Sequence, residues 1–341
     1  MDTPVKFGII GCGIIAENHA AAIEASGGAE LAAVADVIGE RARAFAEAHN
    51  CAAAYASYAE LLQRDDIEVV SICVPSGLHA EVAIAAMQAG KHVLCEKPLD
   101  IRRDRMAAMI ATAEATGMKL GVVYQRRVTP VALAAKEVAA TGGLGRVVLG
   151  SAELKYHRTP GYYRSAGWRA TWELDGGGAL MNQGVHGIDL LQWLMGDVRR
   201  VSARVATLVH EIEVEDTAVA WLEFENGALG IITGATSVYP EQPTRVALHG
   251  SQGSLVFSDR GVEAWTVDGK ELTETVASLP GLDFAHGHQP FIDNMVAVAR
   301  EGQDVLVSAQ EARKAVDVIL AIYESSRRGV PVEVTHGDED G

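Results

Sequence analysis

Residues that carry chemistry by type and spacing fall into separate groups along this chain. Asn182, His186 and Asp189 lie in the apolar stretch DGGGALMNQGVHGIDLLQWLMGD, residues 175–197. At 3.6 residues per turn, offsets of four and seven put all three on one helix face. A histidine among Leu, Ile, Val, Met and Trp is either a hydrogen-bonded core residue or an acid/base titrating near neutrality. Lys97 stands in CEKPL (95–99), at the carboxyl end of an apolar run. An ammonium there either belongs to an ordinary loop or stabilises a developing alkoxide, and Pro98 restricts the residue before it to extended backbone. The segment GCGIIA (11–16) reads G-x-G-x-x-A between an apolar run and a helical pattern, with Asp36 twenty residues beyond Ala16. That spacing suits a dinucleotide loop. Gly11 makes the tight turn, Gly13 admits a pyrophosphate to the backbone, Ala16 allows close helix packing, and Asp36 accepts from a ribose 2′-hydroxyl. The acid disfavours a 2′-phosphate, so NAD is expected over NADP, although Arg41 and Arg43 are near enough to fold back.

The elements that must position these residues change character near residue 125. Before it, apolar strands at 5–11, 30–36, 69–75, 92–98 and 119–125, with a weaker one at 52–56, alternate with Ala/Glu/Arg-rich helical segments. Continuous apolar strands separated by helices imply a doubly wound parallel sheet covered on both faces, an α/β domain. After it come longer strand candidates in succession, with ENG (225–227) and SDRG (258–261) as hairpin turns, and helical segments at 284–300 and 308–328. The expected division is a dinucleotide-binding domain over 1–125 and a substrate and oligomerisation domain over 126–335, the latter with an open, mostly antiparallel sheet.

Composition narrows the partners. The 341 residues are 48% hydrophobic and 22% charged, with a formal charge of −16 from 45 acids and 29 bases. An acidic chain with no basic run is a poor partner for nucleic acid or an anionic membrane. No stretch reaches 18 uninterrupted apolar residues, and the first strand begins at residue 5, leaving no room for a signal peptide. Cys12, Cys51, Cys73 and Cys95 fit neither a zinc spacing nor a disulfide framework. They read as small buried residues in a reducing cytoplasm, and no metal is expected.

Taken together, GCGIIA, Asp36, VPSGLH (74–79), AGKHVLCEKPL (89–99) and the G-G-G…N…H…D segment at 176–189 resemble the Gfo/Idh/MocA family of NAD(P)-dependent sugar oxidoreductases. The resemblance spans about residues 4–332. It implies an N-terminal Rossmann domain and a C-terminal α/β domain whose open sheet packs on a second subunit, giving a homodimer or homotetramer. Gly11, Gly13, Ile14, Ile15, Asp36, Val74, Pro75, His79, Glu96, Lys97 and Gln125 then fall at cofactor positions. Lys97 matches the lysine that holds the substrate hydroxyl and His186 the general acid/base. Tyr163, Trp168 and Arg169 join Lys97, Asn182 and His186 as substrate residues. Many members carry Asp where this chain has Asn182, and a subgroup that oxidises the 3-hydroxyl of UDP-linked sugar acids shares the Asn. An amide orients an imidazole but cannot raise its pKa as a carboxylate would.

The expected reaction is hydride transfer from a secondary hydroxyl of a sugar or nucleotide sugar to NAD. His186 takes the proton and Lys97 steadies the oxygen. Asp189 either orients the ring or bonds to backbone. Lys155, Arg164 and Arg169 are candidates for a phosphate or uronate, and Tyr156, Tyr162 and Tyr163 for stacking. Alternatives are a free-sugar or inositol dehydrogenase, an NAD-dependent glycosidase of the same fold, and a non-catalytic nucleotide sensor.

Overall fold

The computed structural model describes residues 3–282 and 287–336, so the first residues of the helix expected from 284 lie outside the described residues. The chain forms two compact units, residues 1–125 with 286–312 and residues 126–285 with 313–341.

The first unit is built on six parallel strands: β1 (Val5–Ile10), β2 (Ala29–Ala35), β3 (Ala54–Tyr55), β4 (Val69–Ile72), β5 (His92–Cys95) and β6 (Leu120–Val122), in the order β3-β2-β1-β4-β5-β6. That is the doubly wound order, with the chain reversing direction of growth between β1 and β4. Phe7, Ile9, Val70 and Ile72 are fully buried, and each such side chain stabilises the fold by about 1.5–3 kcal/mol. The helix Gln289–Glu301 belongs to this unit, although it follows the second sheet in sequence. The segment after it returns to the sheet edge, where the Val122 N–H donates to the Val307 carbonyl at 3.0 Å. All four cysteines are buried free thiols. Burial, and then the neighbouring Asp36, push the Cys12 thiol up to about 12, so it does not ionise at neutral pH.

The second unit carries nine strands: β7 (Val147–Lys155), β8 (Val198–Ala206), β9 (Thr217–Phe224), β10 (Leu229–Ala235), β11 (Arg245–Gly250), β12 (Ser254–Ser258), β13 (Gly261–Val267), β14 (Lys270–Glu271) and β15 (Val332–Glu333). Their order is β14-β13-β12-β11-β7-β10-β9-β8-β15. Among the described residues only β7 and β10 of this sheet pair in parallel; ENG and SDRG close the hairpins β9–β10 and β12–β13. One face receives the helix Val185–Met195. A Cβ on Gly187 would stand 2.3 Å from Leu154, and one on Gly150 would stand 2.8 Å from Met195. Glycine at both places lets the helix lie directly on β7. The other face alternates outward: Val219, Trp221, Leu229 and Ile231 are 40–54% exposed, while Ala220, Leu222 and Ile232 between them are buried.

Among the described residues, no helix is long and apolar enough to cross a membrane.

Candidate active site

Each unit carries part of the expected site. In the first, Gly11 has φ +92° and a Cβ there would sit 2.6 Å from the Cys73 carbonyl, so only glycine fits the turn. The helix Ile14–Ala25 starts at Gly13 with no side-chain cap, and a Cβ on Gly13 would meet nothing within 4 Å. The N–H groups of Ile14 and Ile15 in its first turn are left for an anion, while that of Ala16 donates to the Gly13 carbonyl at 3.1 Å. Asp36 is buried at the end of β2. Its carboxylate accepts the Cys12 N–H at 3.0 Å and the Ile38 N–H at 2.8 Å, and Arg41 Nη1 approaches to 3.3 Å. The apolar residues around this loop are open: Ile14 is 83%, Val37 87% and Ile38 48% exposed. An uncapped helix start, a charged acceptor and exposed apolar flanks fit the pyrophosphate, ribose and base of a dinucleotide.

The loops beyond β4 and β5 are tied together. His79 is buried, with Nδ1 2.7 Å from the Pro98 carbonyl oxygen and Nε2 3.0 Å from that of Val74. Its ring nitrogens are thus engaged by protein, and it links the Val74-Pro75 loop to the Lys97-Pro98 loop, where the intervening peptide is cis. Glu96 is buried beside Lys97, and its Oε2 accepts the Lys97 backbone N–H at 3.2 Å. Gln125, the last residue of this stretch, has a buried Oε1 that meets no donor among the described residues, an acceptor suited to a bound amide or hydroxyl.

In the second unit the polar stripe differs from the regular helix face. Asn182 lies in a π-helical turn, Ala179–Gly184, and the α-helix carrying His186 and Asp189 begins only at Val185. The wider turn resets the spacing between Asn182 and His186. Asp189 is paired with Arg127 through two bonds of 2.8 and 2.7 Å, and Arg127 also lies over the Trp193 ring. This buried pair gives Asp189 a place in the architecture of the helix. His186 is 8% exposed.

Asn182 sits in a network that residue spacing did not reveal. Its Nδ2 donates to the buried carboxylate of Asp175, whose other oxygen accepts the Ala170 N–H at 2.7 Å. The carboxylate missing at position 182 is therefore present one hydrogen bond away. The Tyr162 hydroxyl donates to Asn182 Oδ1 at 3.4 Å and receives Arg169 Nη1 at 2.6 Å and Gln183 Nε2 at 2.8 Å. Arg158 Nε donates to Gln183 Oε1 at 2.9 Å. The Arg169 guanidinium lies over the Tyr162 and Trp168 rings at 4.4 and 4.7 Å, and no carboxylate pairs with it among the described residues. Tyr163 turns elsewhere, donating to Thr236 Oγ1 at 2.7 Å. Lys155 is paired with Glu153 at 2.5 Å. Arg164 is exposed, and Tyr156 is buried against Thr244. Gly177 and Gly178 answer to protein neighbours: a Cβ would stand 2.1 Å from the Tyr323 hydroxyl or 2.2 Å from the Glu215 carbonyl. The buried Glu215 carboxylate accepts the Gly178 and Leu180 N–H groups, which fixes the start of the π-helical turn.

Residues 5–124 match the family described as an oxidoreductase family with an NAD-binding Rossmann fold, and residues 132–256 match the Gfo/Idh/MocA C-terminal domain. A D-xylose 1-dehydrogenase (NADP+) of Haloferax volcanii is 30% identical, the alignment covering 97% of this chain and 100% of that one. This chain belongs to the Gfo/Idh/MocA family of oxidoreductases. It is an oxidoreductase with NAD as its cofactor, bound by the first unit. Among solved structures, the WlbA dehydrogenase of Chromobacterium violaceum, in complex with NADH and UDP-GlcNAcA, superposes with a TM-score of 0.92 at 31% identity, covering 99% of this chain and 98% of that one. The WlbA dehydrogenase of Bordetella pertussis, in complex with the same two molecules, gives 0.90 at 31% identity over 98% and 99%.

Proposed function

We propose that this Gfo/Idh/MocA enzyme oxidises a secondary hydroxyl of a UDP-linked sugar acid, the 3-hydroxyl in the first instance, with NAD in preference to NADP. The observation that carries the reading is the full-length likeness to two dehydrogenases whose complexes hold NADH and UDP-GlcNAcA. Arg169 supports it, since a guanidinium held against two aromatic rings, with no carboxylate partner among the described residues, is a ready fork for an anionic sugar. Asp36 supports the choice of NAD.

NAD, when bound, supplies the hydride acceptor. His186 accepts the hydroxyl proton as the C–H bond breaks and the carbonyl forms, and the Lys97 ammonium stabilises the oxygen as its negative charge grows. Asn182, held by Asp175 and Tyr162, is a polar group placed to orient the substrate.

The exposed apolar face of β9 and β10 supports assembly as a homodimer or homotetramer. Native mass spectrometry of Ile231→Lys against the parent tests it, with dissociation expected. Four buried thiols and use of NAD suit the cytoplasm.

Incubation with NAD and UDP-GlcNAcA should produce NADH and a keto sugar. Lys97→Ala and His186→Ala should each lower kcat by about 10²–10⁴-fold with NADH affinity retained. Normal turnover in either variant contradicts its assigned role. Free sugar without net NADH would point to the glycosidase.

A further inference from the structure

Three segments distant in sequence converge on one buried carboxyl group. Glu96 Oε1 lies 3.0 Å from Nε2 of His19, on the helix Ile14–Ala25, and 2.9 Å from Nε2 of His288, which precedes the helix Gln289–Glu301. The two rings meet edge to face with centroids 4.9 Å apart. The other oxygen of the same carboxylate accepts the Lys97 backbone N–H. An oxygen flanked by two imidazole nitrogens at hydrogen-bond distance accepts from both, so both Nε2 atoms carry protons. Burial raises the Glu96 pKa, but the two imidazole donors outweigh it and hold the group well below the ordinary carboxylate range. Burial pushes His19 down, and its Nδ1 meets no partner among the described residues, as suits a neutral ring donating through Nε2.

We propose that His19 and His288 are positioning residues for Lys97: they lock the Glu96 carboxylate, which in turn holds the Lys97 backbone and so aims its ammonium group. The inference rests on the reading of Lys97 as a catalytic residue. A metal is the competing explanation, because the three ligand atoms lie within 4.8 Å of one another. Ligands around a tetrahedral zinc stand about 3.3 Å apart, given bonds of about 2.0–2.1 Å. The spacings of 3.0 and 2.9 Å here are those of hydrogen bonds to a carboxylate.

The substitutions His19→Leu and His288→Leu remove a donor, whereas His19→Gln and His288→Gln keep an N–H near the reach of Nε2. In the full chain labelled with nitrogen-15 lysine, the Lys97 amide resonance is identified by its loss in Lys97→Arg. It should shift in both Leu variants and return toward the parent position in the Gln variants. With UDP-GlcNAcA and NAD, the Leu variants should lose about 10- to 100-fold in kcat, the effect of a displaced catalytic group, with recovery in the Gln variants. An unmoved Lys97 amide in the Leu variants overturns the proposal, as does one zinc per chain that His19→Gln removes. If the Leu variants do not fold, Glu96→Gln must produce the same shift. An unmoved amide combined with inactive Lys97→Ala defeats the clamp alone. An active Lys97→Ala defeats the catalytic reading, and the resonance still decides whether the clamp exists.

Discussion

The nucleotide-binding half of this enzyme and the half that carries Asn182 are built from different materials. Around Gly11 and Gly13 the work is done by backbone: a turn at φ +92°, an uncapped helix start and one carboxylate holding two N–H groups. Around Asn182 it is done by side chains from separate segments, with Asp175, Tyr162, Arg169, Gln183 and Arg158 bonded to one another. A backbone device tolerates few residue types at fixed spacing and serves any dinucleotide. A side-chain network has many solutions, and the proposed function assigns the recognition of the sugar to it.

Substitutions at paired glycines should separate the halves most strongly. Gly11→Ala places a methyl group against the Cys73 carbonyl, and Gly177→Ala places one against the Tyr323 hydroxyl. Each should cost about 1–3 kcal/mol in thermal or urea unfolding. Only Gly11→Ala should abolish measurable NADH binding in a fluorescence titration. Loss of NADH binding in Gly177→Ala as well would blur the distinction. Next in size, Asp175→Asn should lower kcat by about tenfold through the loss of one charge-assisted bond to Asn182, with the Kd for NADH unchanged. Asp36→Asn should do the reverse, moving the ratio of NADP to NAD affinity about tenfold toward NADP and sparing kcat at saturating cofactor.

The smallest effect concerns neither half. Burial of His49 works against its protonation, but Glu24 and Glu17 outweigh it and hold the imidazole above its ordinary range. A raised folded pKa means stability that is complete below the unfolded value and lost as pH rises through the folded one. The Tm difference between the parent and His49→Gln should therefore be about one or two degrees near pH 5.5 and vanish near pH 8.5. A difference that grows with pH would contradict the sign.

The same contrast explains what was legible in the sequence. The parallel sheet, the nucleotide loop and Asp36 follow from apolar runs and glycine spacing, because burial on both faces and a tight turn leave few alternatives. The two hairpin turns follow from ENG and SDRG. The π-helical turn was not legible, since residues 179–184 are compatible with an ordinary helix until Glu215 takes the N–H groups of Gly178 and Leu180. Asp175 was hidden for a similar reason: seven positions before Asn182, it meets that amide only through the folded turn. Asp189 suits ring orientation by spacing, yet its partner Arg127 lies 62 residues away. The close neighbours of glycines 177 and 178 are Tyr323 and the Glu215 carbonyl, both far from them in sequence. His79 and Gln125 share cofactor positions by resemblance, but one has its ring nitrogens engaged and the other keeps a buried acceptor with no donor among the described residues.

Lys97 and His186 are proposed to act on one sugar hydroxyl while the hydride of its carbon passes to NAD. UDP-GlcNAcA carrying deuterium at C3, incubated with the enzyme and NAD, tests it directly by mass spectrometry of the recovered cofactor. The expected product is NADH carrying one deuterium, formed by the parent and lost in both Lys97→Ala and His186→Ala. Reduced cofactor without deuterium, or no reduction by a protein that binds both molecules, would contradict it.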